Sequence, residues 1–320
     1  MDTWERARRV LGAGGLDGDA LTGVRPLGGG TYNEVEELLL ADGTRYVLKV
    51  PPPEAVPGLA HERDLLVSEA EFCRAAARVA VPVPRVLVAA PRELLMTACP
   101  GAPWDDSLTD AERRRLRTEL GRGTALLHTV EGPGFGYPSG ALGPLSADWR
   151  TAFTGMLAAV LDDARRYRPW LPRSLDATAG PLRAALGALD GVDVPRLVHF
   201  DLWPGNILVD RTAGEPRIGG LVDGERMFWG DPVAEFVSTA LLGDIRRDEE
   251  FLAGYREAGG VAEFDSGTRL RLALYRAYLY LIMLTETVPR AVDEGRLRWT
   301  RQAVGPQLDA ALDETAALCG

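Results

Sequence analysis

Apolar and polar residues alternate along the first hundred positions in the way that is typical of β-strands. Strands are predicted over residues 24–27, 34–40, 45–50, 86–89 and 93–96. A helix is expected within residues 1–20. A second helix is expected from about Gly58 to Arg78, after the proline run that ends the third strand. These elements predict a small, β-rich N-terminal lobe.

Beyond residue 98 the apolar positions recur every three to four residues, which predicts a mainly helical second lobe. Thr109 and Glu112 have the spacing of a capping box that begins one of its helices. Further helices are predicted over residues 147–168, 176–190 and 270–288. The predicted fold class is therefore α+β, with a β-rich N-terminal lobe over residues 1–98 and a mainly helical C-terminal lobe over residues 99–320.

Composition restricts the classes of protein to which the chain can belong. Hydrophobic residues make up 46% and charged residues 26% of the 320 residues, as in globular proteins. The net charge of −10 argues against nucleic acid as a partner, because a phosphate backbone requires a basic surface. The apolar stretch at 270–288 contains Arg271, Arg276 and Glu286, so no membrane partner is expected. Three cysteines without paired spacing favour a reduced, cytoplasmic protein.

Candidate chemistry is concentrated in a polar loop, residues 199–206, that lies between two short apolar runs. The loop contains Asp201 five residues before Asn206, and a second acid, Asp223, follows 22 residues after the first. Phosphoryl transfer requires a protein mainly to position groups and to neutralise charge. A carboxylate can accept the proton of an attacking hydroxyl, while an amide oxygen and a second carboxylate can hold Mg²⁺. The spacing therefore predicts phosphoryl-transfer chemistry.

Three motifs in order along the chain carry a resemblance to a known family: His199-x-Asp201-x4-Asn206, Asp223-x-Glu225 and Gly230-Asp231-Pro232. They are similar to those of the aminoglycoside phosphotransferase and choline kinase superfamily, which are small-molecule kinases with a bilobal, protein-kinase-like fold. The resemblance spans roughly residues 24–290 and implies ATP and Mg²⁺ as cofactors. It also implies that the N-terminal lobe, residues 1–98, binds the nucleotide and that the C-terminal lobe, residues 99–320, is catalytic and binds the acceptor. Two positions depart from it. Gly224 stands where an aromatic residue is usual, and Trp203 stands where a histidine is often found.

The resemblance also implies a role for each residue of the motifs. Asp201 would accept the hydroxyl proton or orient the hydroxyl, and Asn206 and Asp223 would hold magnesium. His199 would shape the loop through a backbone hydrogen bond. Asp231 would brace the loop by further hydrogen bonds.

Lys49 is the only lysine among the 36 lysine and arginine residues of the chain. A compact ammonium group at the end of a strand can reach α- and β-phosphate oxygens in a geometry that a planar guanidinium does not share. The sequence therefore predicts that Lys49 contacts the phosphates of the nucleotide. Glu62, Glu69 and Glu71 of the following helix are candidate ion-pair partners, and the resemblance favours Glu69.

The remaining contacts are predicted from their position beside these motifs. A glycine-rich hairpin lets backbone amide groups approach phosphates, and a hinge after the last strand of the first lobe would bring its backbone to the adenine. The predicted nucleotide contacts are Gly29, Gly30, Thr31, Thr97 and Ala98. The predicted acceptor contacts are Trp203, Glu225 and Trp229.

The sequence thus predicts a kinase that phosphorylates a hydroxyl of a small molecule and acts as a monomer or homodimer. An antibiotic is the favoured acceptor, because the arginine-rich composition suggests a GC-rich, actinobacterial source, where self-resistance kinases are common. The 32 acids against 25 bases in residues 99–320 would suit a polycationic acceptor. The alternatives are a choline, sugar or amino-alcohol kinase and a catalytically inactive nucleotide-binding module. A protein kinase is not expected, since Gly230 follows Asp223 by only seven positions, which leaves no activation segment of the usual length.

Overall fold

The computed structural model describes residues 2–28, 32–53 and 56–320, which form a sheet-containing lobe and a helical lobe. The first lobe contains α1 (Thr3–Ala13), β1 (Leu21–Pro26), β2 (Glu34–Leu40), β3 (Arg45–Val50), α2 (Leu65–Ala76), β4 (Val86–Ala90) and β5 (Glu93–Thr97). Its five strands form one antiparallel sheet in the order β1-β2-β3-β5-β4. All five predicted strands are therefore present.

Strand β3 lies in the middle of this sheet and determines where Lys49 points. Leu48 is fully buried on the face that α1 covers, where it packs with Val10 and Leu11. Successive side chains of a strand point to opposite faces of the sheet. Lys49 therefore points to the other face, towards α2 and the second lobe.

Helix α2 is shorter than the sequence predicts. It begins at Leu65 and not near Gly58. Asp64 has a φ of 58°, a left-handed conformation that interrupts a right-handed helix. The residues before it form a separate short 3₁₀ turn, and the N–H of Ala60 donates to the carboxylate of Asp163 in the second lobe at 2.8 Å. Bonds to the second lobe thus replace the first turns of the predicted helix.

The second lobe is mainly helical, as predicted. It contains β6 (Ala102–Pro103), α3 (Asp110–Leu127), α4 (Trp149–Tyr167), α5 (Leu175–Ala184), β7 (Arg196–Val198), β8 (Ile207–Asp210), β9 (Arg217–Leu221), β10 (Phe228–Gly230), α6 (Glu235–Thr239), α7 (Glu249–Glu257), α8 (Ser266–Thr285), α9 (Glu294–Ala303) and α10 (Gly305–Cys319). The capping box is confirmed, since Thr109 and Glu112 each accept a hydrogen bond from the other's backbone N–H. Within the described ranges, no helix is long and apolar enough to cross a membrane.

Two small sheets hold the ends of the 199–206 loop. Strand β7 pairs with β10, and β8 pairs with β6 and β9. Beneath the loop, the ring of Phe200 packs on Phe228, with centroids 5.0 Å apart, and Phe228 stacks on Trp149 at 5.4 Å. All three rings are buried. The loop therefore rests on a closely packed base, and the two lobes together confirm the predicted fold class. The boundary at residue 98 stays a prediction.

Candidate active site

The 199–206 loop is closed by hydrogen bonds between its own residues. Asn206 Nδ2 donates to the backbone carbonyl of Asp201 at 2.9 Å and to its carboxylate at 3.0 Å. Phe200 has a φ of 62°, a conformation that costs a non-glycine residue about 1–2 kcal/mol. Its ring enters the core while the next side chain, that of Asp201, stays partly accessible. The bonds from Asn206 also turn the oxygen of its amide group away from Asp201.

His199 joins this loop to the segment that carries Asp223. The N–H of Asp201 donates to His199 Nδ1 at 3.2 Å, so Nδ1 is unprotonated, and the proton on Nε2 is donated to the carbonyl of Val222 at 3.0 Å. Burial lowers the pKa of His199 to about 4. The ring is therefore neutral and acts as a fixed link between the loop and the residue before Asp223.

Lys49 lies between two acids on opposite sides of the cleft. It is only 5% exposed, its Nζ is 2.7 Å from a carboxylate oxygen of Glu69, and it also pairs with Asp223. Burial alone would lower the pKa of Lys49, but the carboxylates of Glu69, Asp223 and Glu225 outweigh that effect and raise it. The ammonium group is therefore charged. Of the three predicted partners, the structure pairs Lys49 with Glu69.

Three carboxylates crowd around this lysine. Oxygens of Glu69, Asp223 and Glu225 lie within 4.8 Å of one another, and Asn33 Nδ2 donates to Glu225 at 2.6 Å. Burial raises the pKa of Glu225; Lys49 acts against this rise and Asp223 adds to it. Hard oxygen ligands in such a crowded negative site are what a divalent cation binds. Asp223 therefore lies in a carboxylate-rich environment that fits Mg²⁺.

Asp201 stands in a mixed electrostatic environment at the edge of this group. Burial raises the pKa of Asp201 to about 7; the charge of Arg226 opposes that rise, while Asp223 and Glu286 add to it. Arg226 is itself held 2.6 Å from Glu286. A carboxylate whose pKa lies near neutrality is suited to accept a proton in the physiological range.

Glu235 accepts hydrogen bonds that brace the loop, whereas Asp231, the predicted brace, bonds to α8. Glu235 is fully buried and accepts from the N–H groups of His199 at 2.6 Å and Phe200 at 3.1 Å. Asp231 instead accepts from the hydroxyl of Tyr275 at 2.8 Å and pairs with an arginine of α8 at 2.9 Å. The sequence offers two acids four residues apart, and only the packing of α6 decides which one faces the loop.

The predicted acceptor contacts lie in different environments. The prediction for Trp229 was wrong, because its ring is 2% exposed in β10 and packs so tightly on Gly132 that a Cβ there would lie 2.3 Å from it. Its place in a strand between buried neighbours explains this burial. Trp203 is 43% exposed and its ring lies over Gly205 of the 199–206 loop. Its contact with an acceptor, like that of Glu225, stays a prediction.

The predicted nucleotide contacts of the first lobe are only partly described. Gly29, Gly30 and Thr31 lie outside the described residues. At the hinge, the N–H of Thr97 donates to the carbonyl of Arg85 at 3.0 Å and the N–H of Ala98 donates to that of Arg45 at 3.1 Å. Neither N–H group is therefore available to an adenine ring, because both complete the pairing of the sheet.

Known proteins resemble the chain over most of its length. A probable ketoamine kinase of Lactiplantibacillus plantarum is 27% identical over 283 residues, which are 84% of this chain and 91% of that protein. A solved structure from Thermobifida fusca, assigned as a fructosamine-3-kinase, has a TM-score of 0.71 at 21% identity and covers 98% of this chain and 100% of its own. The aminoglycoside phosphotransferase APH(4)-Ia, solved with AMP-PNP and hygromycin B, has a TM-score of 0.65 at 17% identity and covers 92% and 95%.

The two structural likenesses show the kinase-like fold. The family evidence is independent of them, because the model of the phosphotransferase enzyme family matches residues 23–275, well over half of the chain. This match confirms the resemblance that the motifs indicate. The chain belongs to the phosphotransferase enzyme family and is a small-molecule phosphotransferase.

Proposed function

We propose that the chain transfers the γ-phosphoryl group of ATP to a hydroxyl of a small molecule, with Mg²⁺ as an obligatory cofactor. The observation that supports this proposal is the arrangement of five side chains. Lys49 contacts both Glu69 and Asp223 across the two lobes, and His199 ties the loop that contains Asp201 and Asn206 to the residue before Asp223. Each of the five has the functional group that one part of phosphoryl transfer requires.

The side chains divide this work by their chemistry. Lys49 would hold the α- and β-phosphates, with Glu69 fixing the position of its ammonium group. Asp223 and the amide oxygen of Asn206 would hold Mg²⁺, which when bound neutralises phosphate charge. Asp223 would then have to exchange part of its present ion pair with Lys49 for the metal.

Asp201 would take the proton of the acceptor hydroxyl at its free carboxylate oxygen. Its other oxygen accepts from Asn206 Nδ2 at 3.0 Å, which fixes the rotation of the carboxylate. Asp201 follows the strained Phe200, whose backbone is held by Glu235. The proton acceptor is therefore preorganised, which is the main contribution that a protein makes to this type of reaction.

For the acceptor, we propose a ketoamine, that is, a sugar joined to an amine. The relative named as a ketoamine kinase supports this choice. The carboxylate of Glu225, close to Asp223 and next in the chain to Gly224, would suit the amine of such an acceptor. An antibiotic remains the second candidate, because the fold is shared with APH(4)-Ia, which was solved with hygromycin B.

The test is an ADP-release assay on the purified chain with ATP and Mg²⁺. The panel contains a fructosyl amine, the parent free sugar, choline, hygromycin B and a macrolide. ADP release that depends on the fructosyl amine, with the phosphate found on a sugar hydroxyl, is the expected result. ADP release with an antibiotic and with no other compound of the panel would show that the acceptor is an antibiotic and not a ketoamine. Release with none of these compounds, or release that persists in excess EDTA, would contradict the proposal.

A further inference from the structure

Phe72 lies one helical turn after Glu69 on the inner face of α2. Residues three apart in a helix point to the same side, and both side chains are buried, Glu69 at 1% and Phe72 at 0% exposure. Glu69 reaches Lys49 from this face. The ring of Phe72 therefore faces the second lobe from the helix that positions the lysine.

The ring meets Gly224, the residue after Asp223, with no space between them. A Cβ added at Gly224 would lie 2.4 Å from Cδ1, 2.5 Å from Cγ and 2.9 Å from Cβ of Phe72. The Cβ of Phe72 is fixed to the backbone of α2, so a side chain at Gly224 would displace the helix itself. Glycine is thus required here by the neighbouring ring.

The same ring also contacts His199. Its centroid is 4.7 Å from that of the imidazole, with the planes at 78°, which is an edge-on arrangement. His199 in turn binds the N–H of Asp201 and the carbonyl of Val222. One side chain of the first lobe therefore contacts both segments of the second lobe that present carboxylates to the site.

We infer that Phe72 is a positioning residue and that its ring and Gly224 are a matched pair that sets α2 at a fixed distance from the Asp223 segment. The distance between Glu69 and Asp223 determines whether Lys49 can be held from both sides, and it places Asp223 for the metal. Neither Phe72 nor Gly224 touches the reacting atoms. This inference rests on the proposed nucleotide and magnesium site.

The experiment measures nucleotide binding, which needs no acceptor. The dissociation constant of AMP-PNP is determined by calorimetry with Mg²⁺ and with EDTA, for the wild type, Phe72→Leu and Gly224→Ala. Both variants should weaken binding of the magnesium complex at least tenfold and metal-free binding less than about threefold, because the displaced segment carries Asp223. Phe72→Leu keeps an apolar side chain, so that the chain can still fold.

Phe153→Leu is the matched control, since Phe153 is equally buried, at 0% exposure, but packs on Trp149 and Tyr275 in the core of the second lobe. It should lower the melting temperature and keep both dissociation constants within twofold. Wild-type affinity for the magnesium complex in both test variants would overturn this inference but not the proposed site. An equal loss of that affinity in Phe153→Leu would do the same. A wild-type protein with no magnesium-dependent binding would overturn the proposed site, and the inference with it.

Discussion

Replacing Glu235 by glutamine exchanges one carboxylate oxygen for an NH₂ group at a fully buried position. Three donors converge on this carboxylate: the N–H groups of His199 at 2.6 Å and Phe200 at 3.1 Å, and the hydroxyl of Ser238 at 2.9 Å. The two N–H groups bind different oxygens. Whichever way the glutamine amide is oriented, one N–H of the loop must therefore face an NH₂ group.

The cost follows from that single mismatch. A buried N–H left without an acceptor costs about 1–3 kcal/mol, and a hydrogen bond to a charged group contributes about 1.5–3 kcal/mol. We therefore expect Glu235→Gln to lower the free energy of unfolding by about 2–4 kcal/mol. Turnover should fall further than stability explains, because the bond to Phe200 helps to hold its left-handed backbone next to Asp201. A displacement near 1 Å can cost about a hundredfold in rate.

Two measurements separate this effect from general destabilisation. Turnover is followed by ADP release at about pH 8, because burial raises the pKa of Glu235 to about 7 and the carboxylate must be ionised. Hydrogen exchange of the loop amides is followed in parallel. Asp231→Asn is the matched control, since this buried acid binds α8 instead of the loop. It should lower stability but keep turnover within about threefold and leave loop exchange unchanged. Equal loss of turnover in both variants, or wild-type turnover in Glu235→Gln, would refute the reasoning.

Further predictions concern the site and its pH dependence. Asp201→Asn should keep the fold and nucleotide binding but lower ADP release by at least about a hundredfold, because an amide cannot take the proton; a variant that retains a tenth of the rate would remove Asp201 from that role. Asp223→Ala should abolish magnesium-dependent binding of AMP-PNP in calorimetry, and a persistent difference between Mg²⁺ and EDTA would contradict the metal assignment. Lys49→Arg should lower turnover about a hundredfold and, because Lys49 is buried, also the melting temperature; wild-type activity would assign the phosphate contact to another residue. Burial lowers the pKa of His128 to about 3, so its contribution to stability is complete above about pH 6.5 and is lost as the pH falls from there towards 3. His128→Asn should remove up to about 3 kcal/mol of that acid-induced loss at about pH 4, as measured by urea unfolding at pH 4 and 7. If the free energy of unfolding differs between the two pH values as much in the variant as in the wild type, His128 is not responsible for the loss.

Features that depend on neighbouring residues could be predicted from the sequence. Strands β2 and β3 have the predicted bounds, Glu34–Leu40 and Arg45–Val50, because the alternation that identifies them is the same alternation that buries one face of the sheet. The motif likewise placed Asp201 and Asn206 in one loop, and in the structure their side chains are 3.0 Å apart. Such features lie within a few residues of one another, so the pattern contains them.

Features that depend on packing between distant segments could not be predicted. Nothing near Glu235 in the sequence distinguishes it from Asp231, and the choice between them depends on the orientation of α6 against the loop. Gly224, which stands where the family usually has an aromatic residue, is also explained by a distant contact. The ring of Phe72, which is more than 150 positions away, occupies the space beside Gly224. The sequence alone presented that glycine as a missing aromatic residue, whereas the structure supplies an aromatic ring from the other lobe.

The segment of residues 58–63 shows how such distant contacts determine the site itself. Its pattern is compatible with the first turns of a helix, yet Ala60 bonds to Asp163 and Glu62 pairs with Arg290. Both partners are about a hundred or more positions away, so local periodicity holds no information about them. These contacts tie the segment before α2 to the second lobe, and α2 begins only where they end. The distance of Glu69 from the second lobe is therefore determined in part by bonds that form only in the folded chain.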